Sequence, residues 1–237
     1  MSLMGGEGAR RRADYRRYRE LVEVRPELFQ RPAGGIEILL DEADIAAASK
    51  VVARRNRAKG LPPASASVGV LVEDAYILVM RDAVRFPDGS LGTHNRAMYT
   101  NSRGVGVLAL YRGKVALVRI FRHAVGRSIL EIPRGSVEPG DGMEETVHRE
   151  VAEEIGGRVA RMVHLGRSLC DTSLSDGGLD LYYAELDDVG GPQPAEGITE
   201  VVMVAPETLA GMIMSGEFED SHGIAAFLQS RLRGLLP

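Results

Sequence analysis

The sequence has no tryptophan, a single cysteine and few aromatic side chains, 5% in all. The lone thiol, Cys170, cannot close an intramolecular disulfide, and no cysteine/histidine cluster has the spacing of a zinc site. His94, His123, His148, His164 and His222 form no metal pair along the chain. No stretch approaches the ~18 consecutive apolar residues of a membrane-spanning helix, and the arginine-rich N-terminus lacks the apolar segment of a signal peptide. Positive charge is not in excess: the formal net charge is −4, unlike the basic face of a dedicated nucleic-acid binder. There is no Gly-x-Ser-x-Gly elbow of a serine hydrolase. Gly104-Val105-Gly106 lacks the third glycine and the following helix of a dinucleotide fingerprint. The expectation is a globular protein of a reducing, cytoplasmic setting, with neither membrane nor nucleic acid as a partner.

What is present suffices for a full α/β domain with an extension: 237 residues, 44% of them hydrophobic and 26% charged. Arginines 10, 11, 12, 16, 17 and 19 surround Tyr15, Tyr18, Leu21 and Val22, whose spacing predicts a helix ending near Pro26 with a solvated basic face. Asp41 or Asp44 can cap a second helix reaching about Lys59, and Gly60-Leu61-Pro62-Pro63 stops it. Residues 1–62 therefore read as a helical arm and 63–237 as the main domain. From Ser65 the pattern turns to short strands: 68–72, 76–80 and 97–99, with a Pro87-Asp88-Gly89 turn. Strands 105–110 and 115–121 form a hairpin, and strands follow at 181–186 and 201–204. Helices are predicted over 141–155, 207–214 and 221–233. Strands and helices mix without regular βαβ alternation, which predicts an α+β fold.

The chemistry concentrates in residues 135–157, GSVEPGDGMEETVHREVAEEIGG. Asp141 is placed to cap the helix, with Glu144 three residues on to complete a capping box. Met143, Val147, Val151 and Ile155 recur every four residues as an apolar stripe. Glu150, Glu153 and Glu154 stand at i, i+3 and i+4, so three carboxylates share one polar face and repel one another. A hard divalent cation resolves that repulsion, because Mg²⁺ prefers oxygen ligands and bridges carboxylates to phosphates. Arg149 lies four residues before Glu153 and can orient it through a charge-assisted pair. Taken alone, the same pattern also describes a surface helix with an acidic face.

This segment resembles the Nudix box: glycine, five residues, a glutamate, seven residues, then Arg-Glu-apolar-x-Glu-Glu-x-Gly-apolar. Gly135, Arg149, Glu150, Glu153, Glu154 and Gly156 match, and a chance match at a given start is on the order of 10⁻⁷. Asp141 stands where the family has glutamate, and Gly157 where it has an apolar residue. Leu117-Val118-Arg119-Ile120-Phe121-Arg122, Glu131-Ile132-Pro133-Arg134-Gly135 and Ser215-Gly216-Glu217-Phe218-Glu219-Asp220 are similar to segments of ADP-ribose pyrophosphatase-like members. The resemblance covers about residues 68–233 and leaves 10–60 unmatched.

The resemblance implies a Nudix-type α/β/α sandwich with a mixed sheet, carrying an N-terminal helical and β extension. It implies a metal-dependent hydrolase cutting the diphosphate of a nucleoside diphosphate linked to a second group, of ADP-ribose or nucleotide-sugar type. The cofactor would be Mg²⁺ or Mn²⁺, held by Glu150, Glu153, Glu154 and the backbone carbonyl of Arg134. Arg122 and Glu131 would contact substrate, Glu153 and Arg149 would serve catalysis, and Glu196 would be the general base, with Glu200 as alternative. Thr172 stands where ADP-ribose-specific members carry a proline, which weakens that one substrate. The resemblance also implies a homodimer built through residues 65–100. A different class, a Nudix fold that senses the nucleotide without cutting it, would have lost box carboxylates that this chain keeps.

Overall fold

The computed structural model describes residues 4–31, 33–100, 103–193 and 197–236. They fall into two compact units: residues 1–100 with 173–175, and residues 101–172 with 176–237.

The first unit holds helices α1 (Met4–Val24) and α2 (Glu42–Ala58) and strands β1 (Glu37–Ile38), β2 (Gly69–Glu73), β3 (Ile77–Arg85) and β4 (Leu91–Tyr99). Asp41, not Asp44, caps α2, its carboxylate accepting from the amides of Ala43 and Asp44. The expected Pro-Asp-Gly turn joins β3 to β4, with Gly89 at φ 80° donating its N–H to Phe86. Both strands run longer than their apolar runs predict. β4 pairs antiparallel with β3 from Tyr99 to Leu91, and that ladder carries the polar residues Thr93 to Arg96 along with it. β2 and β1 pair antiparallel with successive parts of β3. Tyr18, Leu21, Phe29, Ile45, Val70 and Met80 are part of this unit's apolar core.

The second unit is an α/β/α sandwich. Its strands are β5 (Gly104–Tyr111), β6 (Lys114–Arg122), β7 (Arg127–Glu131), β8 (Arg134–Ser136), β9 (Arg158–Leu169), β10 (Gly178–Asp188) and β11 (Ile198–Val204). Five of them lie in the order β11-β6-β5-β10-β9, while β7 pairs with β6 and β8 with β5. The β5/β10 pair is parallel and the other pairs antiparallel, so the sheet is mixed as expected. Period-two alternation sorts the side chains. Val105, Val107 and Ala109 meet Val147, Val151 and Ile155 of α3 (Met143–Ile155) on one face. Leu108, Leu117 and Leu181 meet Leu209, Ala226 and Phe227 of α4 (Pro206–Ser215) and α5 (Ser221–Leu232) on the other.

The start of α3 corrects the sequence reading by one residue. Gly142 is the N-cap, and Glu145 rather than Glu144 reaches back to the Gly142 N–H at 2.7 Å. A glycine has no side chain to cap with, so the glutamate carries the reciprocal half of the box alone. The helix ends as expected: Gly156 is left-handed at φ 60°, with the backbone of Gly190 and Gly191 packed where a Cβ would sit.

Candidate active site

The site grows from the junction of β7, β8 and α3. β8 brings Gly135 under the helix, and the Glu150 carboxylate lies where a Cβ on Gly135 would stand. No other residue type fits there without moving Glu150. Glu154, one turn on, accepts the Arg134 N–H at 2.8 Å. Both carboxylates are buried, at 5% and 4% exposure, although a helical wheel puts them on the polar side. The stripe of Val147, Val151 and Ile155 is buried as well, so α3 is covered on two sides. That excludes the reading of these acids as an ordinary surface face.

Glu153 remains half-buried and turns to Arg149. The Arg149 Nη1 lies 2.8 Å from Glu150 and 2.9 Å from Glu153, while its Nη2 donates to the Ser136 carbonyl at 2.7 Å. Burial opposes the charge on Arg149, but the field of Glu150 and Glu153 and the Glu153 hydrogen bond win, so its pKa is raised. Each box carboxylate thus has a protein partner. Among the described residues no three His, Cys, Asp or Glu side chains are gathered closely enough to grip a metal ion.

A second layer of charge lies beside the box. Glu131, 1% exposed, accepts from Arg122 (Nε at 2.9 Å) and pairs with Arg134. Arg134 also stands 3.5 Å from Asp220, the N-cap of α5. Asp220 accepts in addition from the N–H of Ile132 at 3.1 Å and of His222 at 3.2 Å. Burial lowers the pKa of Arg122, yet Glu131, Glu154 and Asp220 together leave it raised. Burial also lowers the pKa of His222, against the opposing pull of Asp220.

Of the residues expected from sequence, Arg122, Glu131, Arg134, Arg149, Glu150, Glu153 and Glu154 therefore belong to one connected cluster. Glu196 lies outside the described residues. Glu200 lies on β11 and pairs on the surface with Arg119 at 2.9 Å, away from these contacts.

The NUDIX domain profile matches residues 100–226, more than half of the chain and the whole of this cluster. The chain belongs to the NUDIX domain family. Among relatives of this NUDIX chain, the ADP-ribose pyrophosphatase of Bacillus subtilis (strain 168) is 30% identical over 115 residues, which are 48% of this chain and 59% of that protein. The ADP-ribose pyrophosphatase of Mycobacterium tuberculosis (strain ATCC 25618 / H37Rv) is 28% identical over 159 residues, 65% of this chain and 76% of that one. The match thus spans under two thirds of the Bacillus relative's length. A crystal structure of an ADP compounds hydrolase shares the fold, with a TM-score of 0.61, 18% identity, and coverage of 71% of this chain and 92% of that one.

Sequence reasoning missed Asp220 and His222. The Asp220 position was visible only as the end of a turn before the last helix, which is a capping signal and nothing more. His222 meets the Cys170 sulfur at 2.8 Å across 52 residues of chain, a contact no local pattern announces.

Proposed function

We propose that this chain is a metal-dependent hydrolase that cuts the diphosphate of an ADP-ribose-like nucleoside diphosphate compound. One observation carries the reading: two buried glutamates on successive turns of α3, one of them seated against a glycine that leaves it room. Buried carboxylates are costly unless charge compensates them; here five acids (Glu131, Asp141, Glu150, Glu153, Asp220) meet three guanidiniums (Arg122, Arg134, Arg149), and Glu154 takes the backbone N–H of Arg134. The donor set is hard oxygen, which fits Mg²⁺ or Mn²⁺. Glu150 and Glu154, with Glu153 and the Arg134 carbonyl, are the residues that would hold the cation, after their carboxylates turn from the Arg149 and Arg134 N–H partners they have here. Bound there, it supplies charge neutralisation and an activated water.

The chain's own groups do the rest. Arg149 positions Glu150 and Glu153. Glu131 orients Arg122, whose guanidinium is one-third exposed and free to lend part of its fork to a phosphate oxygen. Glu196 remains the proposed general base. The names of the two relatives support ADP-ribose as the first substrate to try.

The test is ADP-ribose with Mg²⁺, Mn²⁺ or EDTA, with products identified by mass. AMP and ribose 5-phosphate should appear with either cation and vanish in chelator. Tight binding of ADP-ribose without turnover would favour the sensing reading instead. We propose further that the protein is a homodimer through residues 65–100, where Val72, Tyr76 and Tyr99 are exposed apolar side chains. A monomeric mass by light scattering at micromolar concentration would overturn that.

A further inference from the structure

We propose that the N-terminal unit carries an anion site of its own, a cleft that takes the phosphate group of a small phosphomonoester. The cleft has a volume of about 530 Å³ and is bounded by α2, β3, β4 and the segment around Ser173 and Leu174. That volume is within the range of small-molecule sites. No aspartate or glutamate lines it, while Arg55, Arg81 and His94 do.

Arg81 is the residue that needs explaining. Elsewhere in this unit Arg96 meets Asp82, Arg85 meets Glu37 and Asp44, and Arg17 meets Glu73. Arg81 is only partly exposed and meets neutral oxygens: Nε donates to Asn95 Oδ1 at 2.8 Å and Nη1 to the Ser67 carbonyl at 3.2 Å. Its Nη2 makes no hydrogen bond to the described residues. Burial lowers its pKa, and no acid contributes to raise it again. A desolvated guanidinium facing an open cleft without a counter-charge is costly, and an anion in the cleft removes the cost.

Arg55 supplies the second positive charge from the exposed side of α2 and has no carboxylate partner among the described residues. A phosphomonoester at neutral pH carries nearly two negative charges, which two guanidiniums match and a carboxylate does not. Asn56 adds a largely buried amide, and Val52 with Leu174 gives an apolar wall for the rest of the ligand. Arg55, Asn56 and Arg81 lie outside the NUDIX match, so the site is a property of this chain's extension.

The experiment is amide NMR of the full chain in EDTA, titrated separately with inorganic phosphate, AMP and adenosine. Phosphate and AMP should shift the amides of Asn56, Arg81 and Asn95, and adenosine should not. Tighter binding of AMP would assign the apolar wall to the body of the ligand, and equal binding would assign the cleft to phosphate itself. Arg55→Gln and Arg81→Gln should each weaken the interaction about tenfold or more, the scale of a lost charged hydrogen bond. Arg55→Gln should do so with little change in Tm, since that exposed side chain makes no hydrogen bond or ion pair among the described residues. Glu154→Gln should leave the titration unchanged, which separates this site from the proposed hydrolase centre. Shifts confined to residues 101–172 and 176–237, or undiminished binding by Arg55→Gln, would overturn the proposal.

Discussion

Each unit buries a polar network, and the two are built to different rules. In the first, Asp82 is almost fully buried and accepts three hydrogen bonds, from Tyr18 Oη at 2.7 Å, Arg96 Nε at 2.7 Å and Arg96 Nη2 at 3.1 Å. One acid meets one guanidinium, and the phenol stays protonated, its pKa raised by burial and then by the charge of Asp82. The network is closed. In the second, five carboxylates (Glu131, Asp141, Glu150, Glu153 and Asp220) share three guanidiniums, and Glu154 leans on the backbone N–H of Arg134. The first network closes on itself and serves the fold, whereas the second is the one proposed above to take a cation.

Four substitutions test that contrast. Breaking the closed network should cost most: Asp82→Ala strands a buried guanidinium, and about 3–5 kcal/mol of stability should be lost. Denaturant melts would show it, and a loss under 1 kcal/mol would mean that Arg96 finds another partner. Glu154→Gln should invert the pattern. Gln keeps an acceptor for the Arg134 N–H and relieves one repulsion, so Tm should hold or rise while kcat falls at least about a hundredfold. Equal losses of stability and activity in both variants would erase the distinction between the networks.

Gly135→Ala sharpens it. A Cβ overlapping the Glu150 carboxylate should force that side chain out of place, lowering stability by about 1–3 kcal/mol and activity along with it. Unchanged turnover would show that the position of Glu150 is not critical.

The smallest effect concerns pH. The pKa of His222 is depressed below its ordinary 6.5, and its buried Nδ1 has no hydrogen-bond partner among the described residues. The unfolded chain therefore takes up that proton first as pH falls. Stability is complete above about 6.5 and declines from there down to the depressed folded value. His222→Gln should make the fall in Tm between pH 7 and 5 shallower. A slope equal to that of the parent would remove His222 from the account.

Much of this was legible in the letters. The 3.6-residue stripe of α3, the hairpin of β5 and β6, the Asp41 cap and the spacing of the box acids all came from local pattern. β9 did not, because it is an edge strand whose twelve residues, RVARMVHLGRSL, mix exposed arginines with half-buried positions and blur the alternation. β7 and β8 are too short to signal themselves and are held by pairing with β6 and β5. Within the site, the box was readable and its surroundings were not. The burial of Glu150 and Glu154 depends on β8 crossing beneath the helix. Asp220 reaches Ile132 across 88 residues. Contacts of that range are set by topology, which no window along the chain contains.

Three residues, 173–175, belong to the first unit although the chain on both sides of them belongs to the second. The Leu174 carbonyl accepts the Ala97 N–H at 2.7 Å, and Ser175 bridges to Ala97 beside β4. The consequence appears at the ribosome. Domains generally fold as units in the order in which they are synthesised, but this first unit cannot complete its contacts when residue 100 has been made. It must wait for some seventy more residues, with Ala97 N–H exposed to water meanwhile. A chain cut at residue 100 would be left permanently in that waiting state, so the first unit is completed only after much of the second has been synthesised.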